Sequence, residues 1–174
     1  EHDELTGLPN LKLFSRLLQE RLKREQNTDA TLVVLVVDID RLHRINETFG
    51  AVKGDKVIIS FASRLRQALP SEGLLCRLES DSFGVAVALE KEALMDLRHR
   101  IEHQLSPPVQ IQGRDIFIDY SIGVARYPGD GRDAVTLIQG AQAAERETDK
   151  EQNRRFVLFS DIRNAVKGGR VILE

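Results

Sequence analysis

Arg77-Leu78-Glu79-Ser80-Asp81-Ser82-Phe83 lies between two apolar runs, Leu74-Leu75-Cys76 before it and Phe83-Gly84-Val85-Ala86-Val87-Ala88-Leu89 after it. Two apolar runs separated by a few polar residues read as strands joined by a turn, so Glu79 to Ser82 are expected at the tip of a β-hairpin. An acid at such a tip, here Asp81, serves chemistry or only the local hydrogen bonding of its turn. What the rest of the chain brings beside it decides between the two.

Upstream, Leu32-Val33-Val34-Leu35-Val36-Val37 is apolar on both faces, the mark of a central strand covered on both sides, and it ends on Asp38-Ile39-Asp40. Before it, Leu11, Phe14, Leu18 and Leu22 recur at helical spacing to about Glu25. After it, Leu42, Ile45 and Phe49 share a face of a short helix that Gly50 can close. Gly54-Asp55 then reads as the cap of a longer helix carrying Val57, Ile58, Phe61, Leu65 and Leu69, stopped by Pro70. Downstream of the hairpin, Glu92 to Leu105 is expected to be a helix. A second hairpin is expected to turn at Gly113-Arg114, from Val109–Gln112 into Ile116–Val124. Asp133 caps a helix to about Thr148, and Phe156-Val157-Leu158-Phe159 is a last strand. Strands with helices interspersed and two hairpins imply an α/β (α+β) fold, a mixed, largely antiparallel central sheet wrapped by helices.

The 174 residues suit a single domain over residues 1–160, with 161–174 as a connector toward a following domain, since the tail ends on the apolar run Val171-Ile172-Leu173. The first residue is Glu rather than Met, as expected of a piece of a longer protein. Charged residues make up 30% with a net charge of -2, which gives no field to recruit nucleic acid or anionic lipid. No apolar run approaches the ~20 residues that span a bilayer, so no membrane contact is expected of this domain. Cys76 is the only cysteine, so there is no disulfide within the chain and no thiolate metal cluster, in keeping with a cytoplasmic location.

Asp38 ends the central strand, where open α/β sheets tend to place ligands. If the hairpin pairs beside that strand, Asp38 and Asp81 converge and could hold Mg²⁺, which takes a few carboxylates plus phosphate oxygens. Polar strand ends without any ligand are the alternative. Asn46 and Asp55 could read the edge of a purine, or could simply cap helices. His99 and His103, four apart on a helix, could share a metal; with Arg98, Arg100 and Glu102 around them they read as a solvated face. A Walker loop, a GxGxxG run, a nucleophile elbow and a CxxC pair are all absent from the sequence.

Taken together these segments resemble the GGDEF family, the bacterial diguanylate cyclase domains that join two GTP molecules into cyclic di-GMP. Asp3-Glu4-Leu5-Thr6-Gly7-Leu8-Pro9-Asn10 is similar to the family's opening D-x-LTGLPNR, with Leu11 where Arg is usual. Asp38-Ile39-Asp40 through Ile45-Asn46 to Gly54-Asp55 is similar to its DxDxFKxINDxxGHxxGD segment, and Ser121-Ile122-Gly123-Val124-Ala125 to its SIGVA strand. Arg77 to Phe83 falls where RxGGDEF belongs. The resemblance implies a sheet like the palm of nucleotide cyclases and polymerases. It also implies metal binding by Asp38 and Asp81 and nucleotide binding by His43, Asn46 and Asp55.

The departures carry as much weight. Glu79-Ser80-Asp81-Ser82-Phe83 replaces GGDEF, so both glycines and the fourth-position acid are gone. His43 stands where a Lys is usual and Asp149 where a second Lys belongs, with Lys150 one residue off; Pro70 and Gly73 occupy the ends of the inhibitory RxxD. Glycines let a phosphate-approaching turn adopt positive φ, which Glu79 and Ser80 disfavour. The Glu79 charge at ~4 Å from a phosphate would cost about 4 kcal/mol at an effective dielectric of about 20. No catalytic role is therefore expected of Glu79, Ser80, Asp81, Ser82 and Phe83. The expected role is an inactive regulatory or dimerisation module beside an EAL phosphodiesterase or cyclic di-GMP receptor domain, with no cofactor, or Mg²⁺ if GTP binds. The alternatives are a weak diguanylate cyclase and a GTP sensor without turnover; a homodimer is a further expectation.

Overall fold

The computed structural model describes residues 1–26, 28–29, 31–90, 93–148 and 154–167, and for 164–167 the backbone only. Its centre is β1 (Thr31–Ile39), whose residues from Leu32 to Val37 are all buried, as the unbroken apolar run requires. β1 pairs antiparallel on one side with β3 (Ser82–Leu89) and on the other with β6 (Tyr120–Tyr127). β2 (Leu74–Glu79) adds antiparallel to β3, and β7 (Phe156–Leu158) parallel to β6, giving the order β2-β3-β1-β6-β7. The expected mixed, largely antiparallel sheet is present.

Helices cover both faces. Val33, Leu35, Val37 and Ile39 point toward α3 (Ala51–Ala68) and α4 (Leu94–Leu105), packing with Val57, Phe61, Leu65, Leu97 and Ile101. Leu32, Val34 and Val36 point toward α1 (Leu11–Glu25) and α5 (Ala134–Arg146), packing with Phe14, Leu18, Leu137 and Ala141. Each large side chain so buried contributes about 1.5–3 kcal/mol. The alternation of β1 thus assigns Asp38, the next even-numbered residue, to the α1/α5 face.

Local chemistry sets the helix ends. Asn10 caps α1 by accepting from the Leu13 N–H at 3.0 Å, and Asp133 caps α5 by accepting from the Thr136 N–H at 2.8 Å. Leu11, expected on the buried stripe of α1, is 41% exposed because it overhangs the helix start; Leu13 is buried instead. Gly50, at φ 88, closes α2 (Leu42–Phe49) through its N–H to the Asn46 carbonyl and opens α3 one residue later. Gly54-Asp55 therefore lies in the second turn of α3 and does not cap it, contrary to the expectation from sequence.

Three further expectations change. The first hairpin is tighter than expected, with strands running to Glu79 and from Ser82 so that only Ser80-Asp81 lie between them. The ladder shifts register between Arg77 and Glu79, and Leu78 follows Leu74 and Cys76 onto the α1 side of the core. The second hairpin does not feed the main sheet. β4 (Val109–Ile111) and β5 (Arg114–Ile116) form a separate two-stranded sheet around Gln112-Gly113, both at positive φ. β6 begins afresh at Tyr120, after the Asp119 carbonyl has accepted from the Asp40 N–H at 2.9 Å. Finally, Phe159–Lys167 forms helix α6 where the end of a strand and a connector are expected. Phe159 packs against Gly140, and Arg163 pairs with the buried Asp130 at 2.9 Å. Residues 168–174, with the apolar run Val171-Ile172-Leu173, lie outside the described residues, as do Asp149 and Lys150.

Candidate nucleotide and metal site

Asp38 sits in β1 opposite Ser82 of β3 and Ser121 of β6, so a small side chain flanks it on each side. The Asp81 carbonyl accepts from the Ile39 N–H at 2.7 Å, which stitches the hairpin tip to the end of β1. That bond brings the Asp81 carboxylate into the same cleft as Asp38. Behind them Asp40 is buried and accepts from Ser121 Oγ at 3.0 and 3.1 Å. Asp38 and Asp81 line one cleft of about 220 Å³ with Val36, Glu79, Ser82, Gln142, Glu145 and Arg146.

Reading the sequence does not single out Glu145, although a signal is there. Ala134, Ile138 and Ala141 form the buried stripe of α5, and Glu145 is the next residue at that spacing. The helix can lie this close because Gly123 of β6 has no side chain: a β-carbon there would lie 2.2 Å from the Ala141 carbonyl oxygen and from the Glu145 nitrogen. Glu145 consequently hydrogen-bonds Asp38. Burial pushes the Asp38 carboxyl up to about 8, and the negative charges of Glu145, Asp81 and Asp40 push the same way. Burial also raises Glu145, against the hydrogen bond from Asp38. Asp38 and Glu145 therefore titrate as one coupled acid pair that holds a proton more tightly than isolated carboxylates do.

Of the eight residues lining the cleft four are acids, Asp38, Glu79, Asp81 and Glu145, and one, Arg146, is a cation. The oxygen donors of Asp38 and Asp81 fit a hard divalent cation of the Mg²⁺ class that shares its remaining positions with phosphate and water. Among the described residues no three His, Cys, Asp or Glu side chains are arranged to hold a metal ion by themselves.

Arg77 organises the tip from behind. Its guanidinium donates to both Asp3 oxygens at 3.1 and 3.2 Å, to the Glu79 carbonyl at 3.3 Å and to the Ser80 carbonyl at 2.9 Å. Burial works to raise Asp3, but hydrogen bonds from Thr6 and Arg77 outweigh it and hold the carboxyl below its usual range. The opening Asp3-to-Asn10 loop is therefore a brace for the hairpin tip. Glu79 and Ser80 also escape the expected strain: among the described residues only Arg41 and Gln112 are non-glycines at positive φ. The turn is built without left-handed backbone: the ladder shifts register between Arg77 and Glu79, and Arg77 holds the Glu79 and Ser80 carbonyls.

His43 and Asn46 are exposed on α2, and Asp55 is exposed on α3. Asn46 meets the backbone of α3 at Gly54, where a β-carbon would lie 1.7 Å from Asn46 Oδ1. Asn46 of α2 thus packs against the α3 backbone at the residue before Asp55. His99 and His103 are exposed on α4, on the other face of the sheet from the acid cleft.

Residues 1–155 match the family described as "Diguanylate cyclase, GGDEF domain". The bifunctional diguanylate cyclase/cyclic di-GMP phosphodiesterase MucR of Pseudomonas aeruginosa is 30% identical over 165 residues, 94% of this chain and 24% of MucR. The cyclic di-GMP phosphodiesterase NbdA of the same organism is 30% identical over 145 residues, 82% of this chain and 18% of NbdA. The chain thus spans a quarter or less of the length of these relatives. The solved GGDEF domain of TpbB from Pseudomonas aeruginosa superposes with a TM-score of 0.84 at 30% identity, covering 95% of this chain and 99% of that one. The fold and the family match agree: this chain belongs to the GGDEF-domain family.

Proposed function

We propose that this domain is a catalytically silent GGDEF module of cyclic di-GMP signalling that regulates an adjacent EAL-type phosphodiesterase or receptor domain of the same protein. The observation that carries it is the charge of the cleft: four acids against one arginine, with the metal-side Asp38 already engaged by Glu145. A triphosphate approaching this cleft meets Glu79 and Glu145 where phosphoryl chemistry depends on positioned positive charge. The pairing of cyclase and phosphodiesterase in relatives such as MucR supports the regulatory role. The test is product formation from GTP and Mg²⁺ by the parent chain and by the triple variant Glu79→Gly, Ser80→Gly, Ser82→Glu. The parent is expected to make no cyclic di-GMP. Turnover by the parent at the rate of a working cyclase would sink the proposal; product from the variant alone would assign the silence to the signature turn.

A second reading, nucleotide binding without turnover, is favoured by the contact of Asn46 with Gly54 beside Asp55. Gly54→Ala tests it cleanly. The new methyl must displace the Asn46 side chain, which is exposed and can swing aside, while Ala in place of Gly in a helix gains about 0.5–1 kcal/mol. If Asn46 and Asp55 hold a guanine, calorimetric titration with GTP shows micromolar binding to the parent and at least about tenfold weaker binding to the variant, with stability unchanged or higher. Equal heats for both chains would reject the reading.

A further inference from the structure

On α4, His99 and His103 lie four residues apart, so their β-carbons are about 5–6 Å from each other on one face of the helix. Both are exposed, and both line the same shallow groove of about 360 Å³ against Gln67 and Ala68 of α3. The opposite face of the helix is fixed, because Leu97, Ile101 and Leu105 are fully buried beneath it. The backbone that carries the two imidazoles is therefore rigid, and little more than their side-chain rotations must be ordered to bring two ring nitrogens onto one ion at about 2.0–2.1 Å. Two histidines at this spacing on a helix are the arrangement by which helical zinc motifs present a pair of ligands.

We propose that His99 and His103 form a two-histidine chelate for a late first-row divalent cation such as Ni²⁺, Cu²⁺ or Zn²⁺. The chemistry selects against Mg²⁺ and Ca²⁺, which require oxygen donors, and so separates this site from the carboxylate cleft across the sheet. Two protein ligands leave the remaining positions to water, with the Gln67 and Gln104 amides lining the same groove. Arg100, also on the groove, is a cation that works against metal affinity.

The test is calorimetric titration of the 174-residue chain with NiCl₂, in a His2→Gln background because His2 and the chain's amino terminus form a rival chelate. One Ni²⁺ per chain is expected, bound more tightly than Co²⁺ and less tightly than Cu²⁺. Either His99→Gln or His103→Gln should weaken it by about tenfold or more, since losing even an outer hydrogen-bond partner costs about 10- to 100-fold. Excess Mg²⁺ should leave it unchanged. Both imidazoles are exposed, so the variants keep the fold, which circular dichroism checks. Unchanged Ni²⁺ uptake by the double variant, or no saturable uptake at millimolar Ni²⁺, overturns the proposal.

Discussion

Asp38→Asn is expected to raise the unfolding temperature at about pH 8 by roughly 4–8 °C, a gain of about 2 kcal/mol for a domain of this size. The carboxyl of Asp38 is pushed up to about 8 from an ordinary 3.8 by burial and by three neighbouring acids. In the folded state it holds its proton between those values, while in the unfolded chain it has already lost it. The folded state therefore binds more protons, and stability falls as pH rises from 3.8 toward 8. Glu145, raised as well, adds to the same slope. Because Asp38 is only half-buried, solvent screens the charges and the gain is set at about 2 kcal/mol rather than the full linkage value. Asn keeps the donor that Glu145 needs and removes the charge. Thermal melts of both chains at about pH 4 and about pH 8 check this: the curves should nearly coincide at the lower pH and separate at the higher. A variant that melts below the parent at about pH 8 would show that the Asp38 charge stabilises the fold.

Gly123→Ala should cost about 3 kcal/mol, the upper end for forcing an extra methyl into a packed interior. The new carbon would collide at 2.2 Å with the Ala141 carbonyl and the Glu145 nitrogen, both backbone atoms of a helix that cannot give locally. α5 must move off the sheet as a unit, loosening Leu137, Ile138 and Ala141, which are buried in one cluster with residues of β1 and β6. The same shift carries Glu145 away from Asp38. Chemical denaturation should show the loss in midpoint, and the pH dependence of stability should flatten alongside it. A variant as stable as the parent would mean that α5 does not sit where the structure places it.

The two variants act on one junction that the sequence presents only in pieces. The strand β1 is legible because an unbroken apolar run of this length suits a strand covered on both faces, and the hairpin because polar residues interrupt two such runs. The helical stripes of α1, α3 and α4 are legible for the same reason of periodicity. The Gly54-Asp55 cap misleads because the pattern that signals a helix start also occurs one turn inside a helix when Gly50 supplies the break. The long second hairpin misleads because apolar alternation continues through Phe117 and Ile118, although the backbone leaves one ladder for another there; Phe117, expected in the strand, is 73% exposed. Helix α6 escapes a reading of the sequence because its docking depends on Phe159 meeting Gly140 and Arg163 meeting Asp130, contacts between residues far apart in the chain.

By itself the sequence determined most of the elements, the sheet with helices on both faces, and the candidate residues Asp38, Asp81, Asn46 and Asp55. Periodicity, turn chemistry and residue type are local properties. Only the tertiary structure decided that Arg77 braces the tip through Asp3, that no residue of the turn takes a left-handed backbone, and that Glu145 reaches Asp38. Those facts follow from how closely two elements can pack, and at Gly123 that distance is set by a side chain that is not there.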